Sequence, residues 1–263
     1  MRRSRSGQRS IDPNKSATAL RALKVLEVLA DARTPVSAGE VAGVIGAERS
    51  TAYRMLATLM HAGYVERDPH TRGYRLGYKV LTLSRPLLSG DDKAALVDAA
   101  LRDVSARTGE SVHYSVLDRD CALLVQRVKG AQLVTIDFQI GDRAPLHCTS
   151  IGKVLLAYQE APTIEEAIRR GLPKAARNTI TEPDRFRAEL RKVRAQGYAY
   201  DDLEFADDMR CVAVPVQEKG GLVASGISLS GPSSRYTPQR LRELRDIALD
   251  AARTLSRKLG GAA

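Results

Sequence analysis

Apolar residues recur at spacings of three and four in the first part of the chain and at spacing two in the middle. From Ala17 to Ala32, the residues Ala19, Ala22, Leu23, Leu26 and Leu29 fall on one helical stripe, which Val25 and Val28 broaden. Thr34-Pro35-Val36 breaks the pattern. Ser37, with Glu40 three residues later, predicts a capped helix from Ala38 to Val44 or Ile45. Gly46-Ala47-Glu48 is a tight turn into a third helix, Arg49 to His61. There Ala52, Met55, Leu56 and Leu59 form the buried side, Ser50 stands at the cap or in the first turn, and Gly63 stops the helix. Tyr64–Asp68 and Gly73–Leu76 are short β-type runs around the turn-rich segment Asp68-Pro69-His70-Thr71-Arg72-Gly73, which predicts a hairpin. Helix, short helix, tight turn, longer helix and hairpin make up a winged helix-turn-helix.

The pattern beyond Leu76 is different. Residues 77–84 read as a short amphipathic helix ended by Pro86 and Gly90, the linker between two domains. Asp92–Thr108 is a helix with Ala95, Leu96, Ala99, Leu101 and Val104 on its buried side. Strands are expected at Ser111–Leu117, Ala122–Val128 and Gln132–Phe138, then a loop over 141–150. Helices follow at Ile151–Gln159, Thr163–Arg170 and Glu182–Gln196. Further strands are expected at Ala199–Asp201, Met209–Val216 and Leu222–Ser230, and Thr237–Leu259 is a closing helix with Pro238 at an early position. The fold class is α+β, a sheet with helices at both ends of the segment, as in sensor domains. The domains are a basic arm over 1–15, a winged helix-turn-helix over 16–77, a linker helix over 78–90 and a second domain over 91–263.

Charge changes the picture of the first domain. The formal net charge is +10, and residues 1–80 hold 14 Lys+Arg against 7 Asp+Glu while residues 81–263 hold 27 against 24. Excess basic charge concentrated on a helix-turn-helix pattern predicts a polyanion partner, double-stranded DNA, bound with salt-sensitive affinity. Ser50, Thr51, Tyr53 and Arg54 lie in the N-terminal part of the third helix, the part that meets base edges in the major groove. An arginine there can bind guanine with two hydrogen bonds. Ser37 and Arg49 are candidates for phosphate contacts, and Arg72 for a wing contact. Tyr53 packed against the first helix, and Arg54 as a solvated charge or in an ion pair, are the competing readings. Arg67 and Arg75 are weaker candidates, because strand arginines pair with neighbours such as Glu66.

Other chemistry is sparse. Cys121, Cys148 and Cys211 stand far apart with no Cys-x-x-Cys pair, which predicts a reduced, cytoplasmic protein. No apolar run approaches the roughly 20 residues of a membrane span, and the basic N-terminus lacks the apolar run of a signal peptide. His61, His70, His113 and His147 show no metal spacing, and neither a phosphate-binding loop nor a G-x-G-x-x-G is present. The adjacent His147 and Cys148 do not make a dyad. The expectation is a protein that is not an enzyme, with no cofactor and no metal.

Four stretches carry a family resemblance: RSTAYRMLATLMHAGYVERDPHTRGYRLG (49–77), GDRAPLHCTSIGKVLLA (141–157), GYAYDDLEFADDMRCVAVPV (197–216) and GLVASGISLSGP (221–232). In content, order and spacing the chain resembles the IclR-type bacterial transcriptional regulators. The resemblance implies a winged helix-turn-helix joined by a linker helix to a GAF-like effector-binding domain. It implies a dimer or dimer of dimers on a palindromic operator, acting as repressor or activator in response to a small organic ligand, often a carboxylate. The matching pocket positions are Ser150, Ile151, Asp201, Cys211, Ser228 and Ser230. The turn 150–152 opens a helix whose N–H groups suit a carboxylate. Ser228 and Ser230 point to one face of a strand. Asp201 would orient a hydroxyl or amine. Leu133, Ile136, Leu146 and Met209 would make the apolar side, suiting a keto acid or an aromatic acid. The chain departs from the family pattern at Leu203-Glu204, where a Glu-Glu pair is usual, and at Asp208, where glycine is usual. A ligand-binding enzyme fused to a DNA-binding module, and a constitutive DNA-binding protein with a degenerate sensor, are the alternatives.

Overall fold

The N-terminal helices begin where their caps stand in a computed structural model that describes residues 16–88, 92–136 and 138–261. The basic arm expected over 1–15 lies outside these residues. Contacts divide the chain into two units between residues 90 and 91.

In the first unit, Ser16 caps α1 (Ala17–Asp31), its hydroxyl accepting the Ala19 N–H. Ser37 caps α2 (Ala38–Ile45) in a reciprocal box, its hydroxyl accepting the Glu40 N–H while Glu40 accepts the Ser37 N–H at 2.8 Å. After the turn, α3 runs over Arg49–His61 with Glu48 at its cap, so Ser50 lies in the first turn. The hairpin is β1 (Val65–Arg67) against β2 (Tyr74–Leu76), and Val36 adds a bridge to Tyr74. Val25, Leu29, Val41, Ile45, Ala52, Leu56, Val65 and Tyr74 form the core. On α1 the buried edge is narrower than the apolar stripe, since Leu20 and Leu23 are exposed. The linker helix, α4 (Val80–Leu88), continues two residues past Pro86, where the sequence predicts its end. The proline removes one N–H donor, and the helix stops soon after rather than at it.

The second unit comprises α5 (Asp92–Thr108), β3 (Val112–Asp118), β4 (Cys121–Val128), β5 (Arg143–Pro145), α6 (Ser150–Ala157), α7 (Ala161–Arg169), α8 (Pro183–Gln196), β6 (Ala199–Asp202), β7 (Met209–Val216), β8 (Ser225–Pro232) and α9 (Pro238–Lys258). The six strands form one antiparallel sheet in the order β5-β4-β3-β8-β7-β6. Alternation decides its two faces. Val112, Tyr114, Val212, Val214, Ile227 and Leu229 pack beneath α5 and α9. Ala122, Ala199 and Ala213 pack on the other face beneath α6, with α8 outside it. This is the expected α+β arrangement of a helix-turn-helix domain followed by a curled-sheet, GAF-like domain.

One expected strand is absent. Residues 132–136 form no strand, and β5 takes the edge instead. The Leu124 N–H bonds to Asp142 O at 2.9 Å, and Leu124 O accepts the Gly141 N–H at 2.8 Å. With Cys121 and Leu123 paired to Pro145 and Arg143, the first half of the outer edge of β4 is taken by residues 141–145. Among the described residues no helix is long and apolar enough to cross a membrane.

Candidate DNA-binding face and effector cavity

The buried edge of α3, Ala52 and Leu56, turns its opposite side outward. Ser50, Tyr53 and Arg54 are exposed there and Thr51 is half-buried. Tyr53 is not packed away. With Arg54 it borders a shallow groove whose other side is Arg67 and Tyr74 of the hairpin. Arg54 makes no ion pair among the described residues, so of the competing readings the packed Tyr53 and the ion-paired Arg54 are not what the structure shows, and a solvated Arg54 stays compatible with it. Arg49, at the first position of α3, lies against Gly39 of α2, where a Cβ would stand 2.9 Å from its guanidinium. Ser37 uses its hydroxyl oxygen in the cap and retains its proton as a donor.

At the hairpin tip Arg72 adopts φ 58°, left-handed for a residue with a Cβ. Asp68 holds it there. The Asp68 carboxylate accepts Thr71 N–H (2.8 Å), Thr71 Oγ1–H (2.9 Å) and His70 N–H (3.1 Å), and its carbonyl accepts the Arg72 N–H at 3.0 Å. The Thr71 and His70 donors also hold the carboxyl below the usual range. The Arg72 side chain is exposed. Arg75 pairs with Glu66 at 3.5 Å, and Arg67 lies 5.8 Å from the Tyr74 ring centroid and donates to Arg72 O, as expected of the weaker candidates.

In the second unit a cavity of about 280 Å³ lies between the sheet and the start of α6. Its floor is His113 and Ser115 of β3, Cys211 of β7, and Ser228 and Ser230 of β8; Ala122 and Leu124 of β4 continue it. Thr149, Ser150 and Ile151 form one wall, Phe205 and Met209 another, and Phe138, Asp142, Arg143 and Ala144 a third. Thr149 caps α6: its hydroxyl accepts the Gly152 N–H at 3.1 Å and donates to Pro145 O at 2.6 Å. That leaves the N–H groups of Ser150 and Ile151 without partners inside the helix. Gly152 is required by the fit, since a Cβ there would stand 2.5 Å from both Leu146 Cα and Pro145 O.

Six of the ten expected pocket residues therefore meet around one cavity: Ser150, Ile151, Met209, Cys211, Ser228 and Ser230. Four do not line it. Leu133 is fully exposed and Ile136 lies outside the wall, both because their segment is a loop rather than a strand; Phe138 lines the cavity instead. Leu146 turns into the core with Ile151, Leu156 and Phe186. Asp201 is wholly buried behind the floor, across from Cys211 in the β6–β7 pairing. Its Oδ1 accepts the N–H groups of Glu204 (2.8 Å) and Phe205 (3.2 Å), which holds Leu203 at φ 62° and presents Phe205 to the cavity. Missed by the sequence reading were His113, Ser115, Thr149, Phe138 and Phe205. Polar residues at 111, 113 and 115 in an otherwise apolar strand were the available signal.

Behind the floor lies a buried charged cluster. Lys153 of α6 pairs with Glu204 at 2.5 Å and reaches Glu189 of α8 at 3.6 Å. Burial pushes the Asp201 carboxyl up to about 7, with Glu204 adding repulsion and the two N–H groups and Lys153 opposing. Burial likewise raises Glu204 against the pull of Lys153, holds the Cys211 thiol well above its ordinary value, and pushes Cys148 up to about 12. Thiols held in the neutral form are poor nucleophiles. His147 braces a loop, its Nε2 lying 2.8 Å from Pro173 O. Arg143, which lines the cavity, is engaged at 2.7 Å by Asp118.

A winged helix-turn-helix with unpaired basic side chains on its outer helix, followed in the same chain by a sheet domain enclosing a cavity, is the plan of a transcriptional regulator. Comparison with known proteins gives the family. The model of the IclR helix-turn-helix domain matches residues 18–69, and that of the bacterial transcriptional regulator IclR C-terminal domain matches residues 87–257. The chain is 31% identical over 250 residues to the HTH-type transcriptional regulator KdgR of Escherichia coli K12, covering 94% of each. It is 32% identical over 244 residues to the HTH-type transcriptional regulator BhcR of Paracoccus denitrificans Pd 1222, covering 90% of this chain and 85% of that one. The crystal structure of the Thermotoga maritima IclR superposes with a TM-score of 0.74 at 30% identity, covering 92% of this chain and 98% of that one. The chain belongs to the IclR family of bacterial transcriptional regulators. The proteins it resembles are regulators by name rather than enzymes.

Proposed function

We propose that this regulator reads its operator with Ser50, Thr51, Tyr53 and Arg54 of α3, and that a small organic acid held in the cavity of the second unit adjusts its operator affinity. The observation that carries the effector reading is the cavity itself: five of the six family pocket positions, with Met209, converge on it beneath the uncapped first N–H groups of α6. At about 280 Å³ it falls just below the roughly 300–1,000 Å³ of drug-sized pockets and suits a metabolite. The helix N-terminus favours a carboxylate. Arg49, Ser37 and Arg72 contribute phosphate or minor-groove contacts, which position the protein without reading sequence. The protein acts as a dimer, or dimer of dimers, on a palindromic operator. Exposed Leu20 and Leu23 on α1, and Leu81 and Leu83 on α4, support pairing through the N-terminal units. The effector works through its differential affinity for two arrangements of the dimer, and operator affinity shifts by that difference.

Gel-shift and thermal-shift measurements on the full chain test both halves. Arg54→Ala is expected to abolish the specific operator shift and to keep effector-induced stabilisation; unchanged operator affinity would sink the α3 assignment. Ser228→Ala/Ser230→Ala is expected to keep operator binding and to lose the response to a panel of organic acids. A panel that stabilises neither wild type nor variant would remove the effector reading.

A further inference from the structure

Ser115 has no part in the reading above. It lies on β3, 5% exposed, on the cavity floor. Its backbone pairs with Gly226, and that of His113 pairs with Ser228. Ser228 is also 5% exposed and faces the same cavity. Both serines line the cavity, and neither hydroxyl is hydrogen-bonded to another described residue, so both are free to meet a ligand. The start of α6 stands over this row. Gly226 carries no side chain, and Ile151 Cδ1 approaches within 2.8 Å of the place its Cβ would take. The cavity therefore has a roof of unbonded N–H groups at Ser150 and Ile151 and a floor of unbonded hydroxyls.

We infer that the effector is an aliphatic carboxylic acid bearing hydroxyl groups, its carboxylate on the α6 N–H groups and its chain hydroxyls on Ser115 and Ser228, with Ser115 a specificity-determining residue. This rests on the effector site proposed above. A hydroxyl both donates and accepts, so a serine and a ligand hydroxyl match in either sense. An aromatic or unhydroxylated acid of equal length covers both serines with carbon and leaves them unbonded. A site built to bond a hydroxyl rejects the analogue lacking it far more strongly than an apolar pocket rejects one methylene.

Isothermal titration of the full-length protein with matched pairs tests this: glycerate and propanoate, threonate and butanoate, gluconate and hexanoate, with benzoate as the aromatic acid. At least one hydroxy acid is expected to bind about tenfold or more tightly than its unhydroxylated partner and than benzoate. Ser115→Ala is expected to weaken that hydroxy acid about tenfold, with the melting temperature of the free protein unchanged, and Ser115→Thr to recover part of the loss. The paired comparison on the wild type needs no variant and so does not depend on any variant folding. If an alkanoate or benzoate binds as tightly as every hydroxy acid, or if Ser115→Ala leaves hydroxy-acid binding unchanged, the inference is overturned and the effector site stands. If none of the seven acids binds, the inference is overturned, and the broader panel of organic acids, keto acids included, decides the effector site.

Discussion

Replacing Asp201 by asparagine removes one buried charge and keeps one acceptor. Asp201 is wholly buried; its Oδ1 holds the 203–205 turn, and its Oδ2 has no hydrogen-bond partner among the described residues. The groups facing it are Glu204 in the turn, Lys153 of α6, Cys211 of β7 and Cys148 ahead of α6. Burial, the dominant cause, lifts its carboxyl from the ordinary 3.8 to about 7. A carboxyl lifted in this way binds its proton more tightly in the folded chain than in the unfolded one. Its contribution is fully present below about pH 4 and is lost as pH rises through 7. Between those limits stability falls by about 1.4 kcal/mol per pH unit, so the ceiling over the whole span is about 4 kcal/mol. Repulsion shared with Glu204 and local relaxation reduce this, and about 2 kcal/mol is the expected gain of Asp201→Asn at pH 8. The two proteins are expected to be nearly equal at or below about pH 4, where Asp201 is protonated in the folded chain and largely so in the unfolded one, and roughly two-fifths of the gain is expected to be present already at pH 5. For a domain of this size 2 kcal/mol corresponds to a rise of about 4–8 °C in melting temperature. Urea or thermal unfolding of both proteins at pH 5, 6, 7 and 8 reads the difference directly. Parallel curves, or a variant less stable than wild type at pH 8, would refute the reasoning.

Two further outcomes follow from the same wall. Lys153→Met leaves Glu204, 9% exposed at its side chain, without its cation, and is expected to destabilise the second unit by about 3–5 kcal/mol; Lys153→Met/Glu204→Gln should recover part of that in the same unfolding assay. Gly152→Ala places a Cβ within 2.5 Å of backbone atoms of Pro145 and Leu146, and is expected to lower stability by about 1–3 kcal/mol and to weaken acid binding by displacing the start of α6, read by titration calorimetry.

The sequence by itself determined most of the first unit. Its helices are ended by local signals, such as the Ser37–Glu40 box and the turn at Gly46, and a cap acts within one turn of its own residue. The outward side of α3 followed from its buried side, since the helical period fixes both together. Strands β3, β4 and β7 were legible for the equivalent reason, their apolar residues being dense and bounded by turns. Asp201 shows the limit of the family resemblance: its position matched the pocket, but the side chain turns into the 203–205 turn behind the wall. Leu133 and Ile136 show the limit of periodicity. Their segment reads as a strand, yet a strand needs a partner edge, and the backbone of Leu124 is already bonded to residues 141 and 142. Only the tertiary structure decides which edge is free. It likewise decided that His113 and Ser115 meet Ser228 and Ser230 across a sheet, because residues more than a hundred positions apart are brought together by strand register and not by any local pattern.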